Sequence, residues 1–387
     1  MLNAMYFDVG YWWRVLRHVW GLKHWPGRRR MLLRLLLLVP AQYLFNSLFF
    51  LLDYLVFPSL WMQSVRQPVF IVGHARSGTT LMHRLMSADG DRFSFFLYWE
   101  MFLPSLLQKK TVRLLGRVDR AVLGGKIHRA LVAWDDKTFG PYRHMHHMSL
   151  WNAEEDCFAM QSAFVSQQWA LDIPMMDVID VFHVDQMGAR RRRWLHHYRE
   201  LVKRQLLFKG AGARVHLAKN PVMSGWVGAL LEVFPDARFV TMIRDPLECI
   251  PSCLKLVRGS WERKGWQPAD FEESLRVLTN ISFEHFHNPR RVLAAHPATP
   301  AAVVDYRALI AAPRETVHAV YRELGMDLGE DYDQWLLAQS EQEKTHLSKF
   351  EYSLGEFEVS PERIGNELSE FYADFGWPLE GTNSDSR

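Results

Sequence analysis

The sequence predicts an α/β protein of three layers, in which helices cover both faces of a central parallel sheet. Two apolar runs carry this prediction, "PVFIVG" (68–73) and "ARFVTMIRDP" (237–246). Continuous apolar runs of this length are typical of strands that are buried on both faces. Each run is followed by helical periodicity, and strands that alternate with helices at this spacing indicate crossover connections between parallel strands.

Composition limits the class of protein. The chain has 387 residues, of which 48% are apolar, so it can hold one large α/β domain with appendages or two smaller domains. Its formal net charge of +3 is small, which argues against a nucleic-acid partner. Three cysteines are too few and too badly spaced for a disulfide framework or a zinc site, so we expect a reducing compartment and no metal.

The first 67 residues form a separate helical segment. Met31–Trp61 is strongly apolar and has no charge between Arg34 and Asp53, which reaches the lower limit of ~18 residues for a spanning helix. Pro40 and Asn46 interrupt the run, so we predict a helix or helical hairpin that lies in a membrane interface. The alternative is a helix pair that packs on the globular domain, or covers its pocket, without contacting lipid.

The rest of the chain, 68–380, forms the main domain. Helical periodicity dominates from about 101 to 208, which predicts a helical insertion over the strand ends. "ARVHLAKNP" (213–221) and "AAVVDYRALI" (301–310) then add further strands. The aromatic run Phe93–Leu107 is predicted to be partly core and partly the wall of a pocket.

The turn after the first strand is a P-loop-like anion cradle. Gly73 and Gly78 have the separation of G-x-x-x-x-G-K-[ST], but Thr79 stands in place of the lysine and Thr80 in the following position. Backbone N–H groups at such a helix start bind anions whatever the side chains are. A nucleoside triphosphate needs the lysine and a magnesium site, so the loop indicates another ligand.

Arg76, inside the loop, offers a planar fork of donors, and Ser77 adds a hydroxyl. These groups suit a 5′-phosphosulfate, because the sulfuryl group that it transfers carries less charge than the phosphoryl group of a nucleoside triphosphate. A second anion site is indicated by Arg244, directly after an apolar strand, and by Ser252 in the next helix. Two neighbouring anion sites imply a ligand that is phosphorylated at two places, and an adenosine with a 3′-phosphate and a 5′-phosphosulfate meets that description.

With these motifs the sequence resembles the sulfotransferases that use 3′-phosphoadenosine 5′-phosphosulfate (PAPS), in particular the bacterial branch called sulfotransferase family 3. The resemblance is carried by "FIVGHARSGTTLMHRLM", "LAKNP", "ARFVTMIRDPLECIPS", "VVDYRALIAAPRETVHAVYRELGM" and "LSKFEYSLGEFEVSPERIGNELSEFYADFGW". It implies that the donor's 5′ end is held by Arg76, Ser77, Gly78, Thr79 and Thr80, and its 3′-phosphate by Arg244 and Ser252. The expected product is adenosine 3′,5′-bisphosphate (PAP).

The resemblance also assigns Lys219, in "LAKNP", to the leaving-group side of the sulfuryl group, where it would meet developing negative charge. Better-known cytosolic relatives have a catalytic histidine shortly after this lysine. This chain has Asn220 and Pro221 there. The catalytic base is therefore expected elsewhere.

"YRHMHHMSLWNAEEDCF" (142–158) resembles the branch's His-x7-Pro-Glu-Glu-Asp pattern, with Ala153 at the proline position. A histidine or carboxylate can take the acceptor's proton near neutral pH. We predict that His146 is the catalytic base and that Glu155 is the second candidate. If the chain aligns with the pattern in another register, His147 or Glu154 takes this role. The alternative is that these histidines form a polar surface turn.

The apolar segments predict an acceptor that is hydrophobic or lipid-like and presents a hydroxyl or amine. The sequence thus predicts a cytoplasmic sulfotransferase, peripheral on the inner face of the cell membrane, that transfers the sulfuryl group in line and without a metal. It indicates no oligomeric state. The alternatives are a P-loop nucleotide phosphotransferase that depends on a metal, and a non-catalytic membrane-bound nucleotide sensor.

Overall fold

The computed structural model describes residues 2–140, 148–210, 214–343, 357 and 359–378. Its centre is a parallel sheet with the strand order β2-β3-β1-β4-β5. The strands are β1 (Val69–Gly73), β2 (Phe93–Ser94), β3 (Val215–Lys219), β4 (Arg238–Ile243) and β5 (Ala301–Asp305). Every residue of β1 is buried, as its apolar run predicts, because β3 and β4 flank it and helices cover both faces.

Helices account for most of the remaining described residues. In chain order they are α1 (Val9–Gly21), α2 (Arg28–Leu33), α3 (Val39–Val56), α4 (Ser59–Met62), α5 (Thr79–Ser87), α6 (Tyr98–Phe102), α7 (Leu106–Val122), α8 (Lys126–Phe139), α9 (Gln168–Asp172), α10 (Arg190–Lys209), α11 (Val227–Val233), α12 (Pro246–Arg263), α13 (Pro268–Ala294), α14 (Tyr306–Ala311), α15 (Pro313–Glu323), α16 (Glu330–Glu343), α17 (Pro361–Glu367) and α18 (Ser369–Phe375). Shorter helical turns are Leu2–Met5, Asp156–Ala163, Val184–Gln186 and Pro221–Trp226, and Arg34–Leu38 is π-helical.

Two apolar cores lie on the two faces of the sheet. Val69 and Ile71 of β1 belong to the smaller core, which α5 and α15 close. Phe70 and Val72 belong to the larger core, which includes side chains of α1, α10 and α13. Successive residues of a strand point to opposite faces, so this alternation produces the three layers and confirms the predicted α/β class.

The amino-terminal segment contains one long helix rather than a hairpin. Arg28–Val56 is helical for 29 residues, and Arg34–Leu38, directly before Pro40, widens to a π-helix that accommodates the proline within the helix. In the described part of the chain it is the one helix that is long and apolar enough to cross a membrane, and 17% of its most apolar 18-residue stretch is buried. It therefore packs on the domain along a narrow face and exposes apolar side chains elsewhere.

A buried carboxylate fastens this helix to the domain. Asp53 of α3 accepts a hydrogen bond from Arg204 Nε of α10 at 2.8 Å, in an ion pair whose side chains have no exposed area. It also accepts hydrogen bonds from the Ser105 hydroxyl at 2.7 Å and from the N–H of Leu106 at 3.0 Å. A buried charge with this many donors is fully compensated, so Asp53 joins three helices at one point.

Candidate active site

The loop between β1 and α5 has the backbone of an anion cradle. Gly73 has φ +133°, and a Cβ there would lie 2.1 Å from the carbonyl oxygen of Met242. Gly78 has φ +89°, and its Cβ would lie 2.5 Å from the ring of Tyr306. Both positions therefore require glycine. Because α5 begins at Thr79, the free N–H groups of its first turn are at the loop.

Arg76 connects the two predicted anion sites. It is a non-glycine residue with φ +72°, in the left-handed region that such residues seldom adopt. Its Nε donates a hydrogen bond to Ser252 Oγ at 3.0 Å, and its carbonyl oxygen accepts one from Arg244 Nη1 at 3.3 Å. Residues separated by 168 and 176 positions thus meet at the carboxyl edge of the sheet, where parallel strands commonly bind ligands.

Arg244 is held by protein groups at the end of β4. Its Nε and Nη2 donate to Glu248 Oε2 at 2.7 and 2.6 Å, within the first turn of α12. Its guanidinium lies over the ring of Tyr306, with Cζ 4.5 Å from the ring centroid. An anion that binds Arg244 therefore competes with the Glu248 carboxylate for the same donors.

Lys219 and Glu155 form an ion pair. Lys219 is the last residue of β3 and is almost completely buried, and its Nζ lies 3.2 Å from Glu155 Oε1. The other oxygen, Oε2, accepts a hydrogen bond from Gln167 Nε2 at 3.0 Å. The pair joins two predicted site residues that are 64 positions apart in the chain. It combines a basic carboxylate with a cation next to it.

The loop and the carboxylate open into one cleft of about 560 Å³. Arg76, Thr79, Thr80 and Glu155 line one part of it. The rest of the lining is largely apolar and includes Tyr98, Met101, Phe102, Phe158, Met176, Val257, Leu278 and Ile281. An apolar cleft with a few convergent polar groups is typical of a small-molecule site. Three of these side chains, Tyr98, Met101 and Phe102, come from the aromatic run Phe93–Leu107 that the sequence interpretation assigned partly to a pocket wall.

The neighbours of Glu155 have other surroundings. Glu154 is buried, accepts a hydrogen bond from the N–H of Glu155 at 3.2 Å and does not line the cleft. Asp156 accepts a hydrogen bond from the Tyr198 hydroxyl at 2.6 Å and lies 2.7 Å from His216 Nε2, in the core. The predicted base His146 and its alternative His147 lie outside the described residues. Glu155 is thus the described member of this group that reaches the cleft.

Asn220 and Pro221 have a structural role at the end of β3. The Asn220 side chain accepts a hydrogen bond from the N–H of Val222 at 2.9 Å and caps the turn Pro221–Trp226, with the proline in its first position. The pair therefore ends β3 sharply and holds Lys219 at the strand's end.

Two buried histidines of the cleft were missed in the sequence. His74 and His285 both line it, and burial lowers the pKa of His74 to about 4. Burial, assisted by the nearby His74 and His183, lowers the pKa of His285 to about 3. His74 Nδ1 and His285 Nε2 have no hydrogen-bond partner among the described residues. The position of His74 inside the loop was an available signal, whereas His285 lies in α13 without one.

The fold is a three-layer α/β domain in which a glycine loop without the P-loop lysine lies at the carboxyl edge of the sheet. Solved structures share this fold. The structure of sulfotransferase STF9 from Mycobacterium avium matches with a TM-score of 0.73 and 18% identity, over 97% of this chain and 94% of that one. Sulfotransferase STF1 from Mycobacterium tuberculosis matches with a TM-score of 0.70 and 17% identity, over 93% and 92% of the two chains.

The chain belongs to the sulfotransferase family, because residues 68–330 match the family model described as "Sulfotransferase family". The resemblance inferred from the sequence motifs is therefore confirmed at the level of the family. It is similar to the omega-hydroxy-beta-dihydromenaquinone-9 sulfotransferase Stf3 of Mycobacterium bovis and of Mycobacterium tuberculosis, with 26% identity over 277 residues. The match covers 67% of this chain and spans 63% of the length of these relatives.

Proposed function

We propose that this sulfotransferase transfers the sulfuryl group of PAPS to a hydroxyl or amine of a hydrophobic, lipid-like acceptor bound in the cleft. One observation carries the proposal. Arg76 contacts both Ser252 and Arg244, and the cleft that Arg76 lines also contains Glu155, which is paired with Lys219. Arg76 and Glu155 line this opening, and Ser252, Arg244 and Lys219 contact them from behind it.

The loop fits a donor with a 5′-phosphosulfate. Its two glycines leave no side chain between the backbone and the strand edge, and the start of α5 directs N–H groups to the same place. The donor would supply an activated sulfuryl group. Its 5′ end would be held by Arg76, Ser77, Gly78, Thr79 and Thr80, and its 3′-phosphate by Arg244 and Ser252. The cations in these two sets and Lys219 supply positive charge for transfer without a metal.

Glu155 is our proposed base for the acceptor's proton. Lys219 and Gln167 donate to its two oxygens and so hold the carboxylate at the cleft with both oxygens as acceptors. Lys219 would also stabilise negative charge on the leaving oxygen. His146 and His147 stay predictions, and Glu154 is the weaker candidate because it does not line the cleft.

The acceptor is proposed to be a membrane lipid with a terminal hydroxyl or a similar amphipathic molecule. The relatives' name states that they act on an omega-hydroxylated menaquinone, and the cleft here is lined mainly by apolar side chains. Arg34 of the long helix also lines the cleft and pairs with Asp172 at 2.9 Å. The exposed apolar face of Arg28–Val56 would therefore attach the enzyme to the cytoplasmic face of the membrane beside the cleft.

The test combines binding with transfer. Calorimetry measures PAP binding, and mass spectrometry of a lipid extract incubated with sulfur-labelled PAPS detects the gain of one sulfuryl group. Glu155→Gln should bind PAP like the wild type and lose transfer by about 10²-fold or more, because it removes the base.

Glu154→Gln is the matched control and should retain most of the transfer activity. No PAP binding by the folded wild type would contradict the proposal. Magnesium-dependent turnover of ATP would instead indicate a phosphotransferase. PAP binding without any transfer, unchanged in both variants, would indicate a sensor.

A further inference from the structure

Helices α7 and α8 form a hairpin that projects from the domain. Among the described residues 110–137, only Asp119 and Asp135 are buried. Asp119 accepts hydrogen bonds from the N–H groups of Ile127 and His128, both at 3.0 Å, and so fastens the start of α8 to α7. Asp135 accepts a hydrogen bond from the Ser149 hydroxyl at 2.9 Å. The hairpin is thus held at its turn and at its base, and its other residues between 110 and 137 are half-buried or exposed.

Large apolar side chains are exposed on both helices of the hairpin. Leu115 is 60% exposed, Val122 73% and Ile127 53%. The other members of this surface are Val112, Leu114, Val118, Leu123, Leu131, Val132 and Trp134. Leu115, Val118 and Val122 are spaced three and four apart, so they share one face of α7. An exposed apolar face of this extent marks an interaction surface.

The charge of the hairpin is strongly one-sided. Lys109 at the base of α7 is buried, and residues 110–139 contain seven lysine and arginine residues against three aspartates, whereas the whole chain has a formal net charge of +3. Arg113, Arg117 and Arg120 are also spaced three and four apart, on a different face from the apolar residues. Helices with apolar residues on one face and lysine and arginine on the polar face bind at the interface of a bilayer with anionic headgroups.

The hairpin is continuous with the helix that is proposed to attach the enzyme to the membrane. Asp53 of α3 accepts hydrogen bonds from the N–H groups of Leu106 and Leu107, at the start of α7. At the other end, the ring of Phe139 meets Tyr98 edge to face, with ring centroids 5.8 Å apart. Tyr98 lines the acceptor cleft. The hairpin therefore joins the long apolar helix to the wall of the cleft.

From these observations we infer that the hairpin α7–α8 docks on an anionic lipid bilayer, as a second membrane contact in addition to the long helix. This goes beyond the proposed function, because the contact requires neither PAPS nor sulfuryl transfer. Its physical basis is the apolar face for the acyl region and the surplus of basic side chains for the headgroups.

A site-specific probe tests the contact. The three native cysteines, Cys157, Cys249 and Cys253, are buried, so a cysteine introduced at an exposed position can be labelled selectively with an environment-sensitive dye. We compare Val122→Cys on the hairpin with Leu337→Cys, which is exposed on α16. With phosphatidylcholine vesicles that contain phosphatidylglycerol, the emission should shift to the blue at position 122 and not at 337. No shift at 122, or the same shift at both positions, would overturn the proposal.

A binding experiment separates the two contacts. The triple variant L115S/V122S/I127S should lower co-sedimentation with the same vesicles by about tenfold or more, and PAP affinity should not change. The matched triple L37S/L44S/L48S removes exposed leucines from the long helix. If only the second triple loses vesicle binding, the hairpin proposal is wrong while the proposed function stands. A wild-type dimer that the hairpin triple converts to a monomer would also overturn it, because the face would then bind a second copy.

Discussion

The proposed donor side and the proposed acceptor side of the site are built in different ways. The donor side consists of residues at the ends of β1, β3 and β4 and in the turns that follow them, so its positions are set by the buried sheet. The acceptor side takes Tyr98, Phe158, Met176 and Leu278 from four separate segments, three of which lie between β2 and β3. Rigid strand ends suit a donor that is always the same, whereas helices and turns can adapt to different acceptors. Changes on the two sides should therefore affect different measured quantities.

The largest effect is expected where the two sides meet, at Lys219. Lys219→Met removes the buried cation and should lower kcat by about 10²- to 10³-fold, because charge on the leaving oxygen is no longer compensated. PAP affinity should change only a few-fold. Steady-state kinetics and calorimetry check both, with the exposed Lys255→Met as control. A loss of PAP affinity with unchanged kcat would indicate that Lys219 binds the donor and does not stabilise the leaving oxygen.

Gly78→Ala tests the rigidity of the donor side. The new Cβ would lie 2.5 Å from the Tyr306 ring at a φ of +89°, so the loop must move and PAP affinity should fall by about tenfold to a hundredfold. Gly116→Ala is the control, since a Cβ there meets nothing within 4 Å inside α7, and it should raise the free energy of unfolding by up to about 1 kcal/mol. Equal PAP affinities in the two variants would contradict the proposal that the loop around Gly78 binds the donor.

Phe102→Ala tests the acceptor side alone. Phe102 lines the cleft and is 39% exposed, so its removal should raise KM for a lipid-like alcohol by about five- to twentyfold and leave PAP affinity unchanged. Leu337→Ala, exposed on a distant helix, should leave both values unchanged. If Phe102→Ala weakens PAP binding instead, the division of the cleft into two sides is wrong.

Glu248→Gln should have a smaller effect, in the opposite direction. Glu248 holds Arg244 at 2.7 Å and carries a negative charge where the donor's 3′-phosphate is proposed to bind. Its neutralisation should raise PAP affinity by about two- to fivefold, more at low salt than at high salt. Glu262→Gln is the matched control on the same helix, since Glu262 pairs with Arg258 in the same i,i+4 arrangement. An equal change in both variants would assign the effect to the charge of α12 as a whole.

Two buried histidines of the cleft, His74 and His285, predict how the stability of the protein depends on pH. Burial keeps folded His74 and His285 neutral down to pKa values of about 4 and about 3, whereas the unfolded chain binds protons near the ordinary value of 6.5. Their contribution to stability is therefore complete above pH 6.5 and is lost as the pH falls toward 4. In denaturant titrations between pH 6 and 5, His285→Phe should reduce the slope by about 1 kcal/mol per pH unit. The exposed His296→Phe should leave the slope unchanged, and equal slopes in all three proteins would contradict this origin.

Much of the donor side could be predicted from the sequence because its residues are local. Gly73–Thr80 is one contiguous motif between a strand and a helix, and a positive φ or a helix start depends mainly on nearby residues. The motif around Arg244 is similar, since its strand and capped helix adjoin. Parallel strands align their carboxyl ends, which places the two motifs at one edge.

The sequence by itself determined the α/β class, the family, the glycine turn between β1 and α5 and the apolar character of the amino-terminal helix. Each of these depends on short-range patterns of apolar residues, glycines and caps. Only the tertiary structure decided that Glu155 rather than Glu154 reaches the cleft, that Glu155 pairs with Lys219, that His285 lines the site and that the hairpin α7–α8 exposes its apolar face. The physical reason is that burial and side-chain contacts depend on packing between segments far apart in the chain, which local periodicity does not contain.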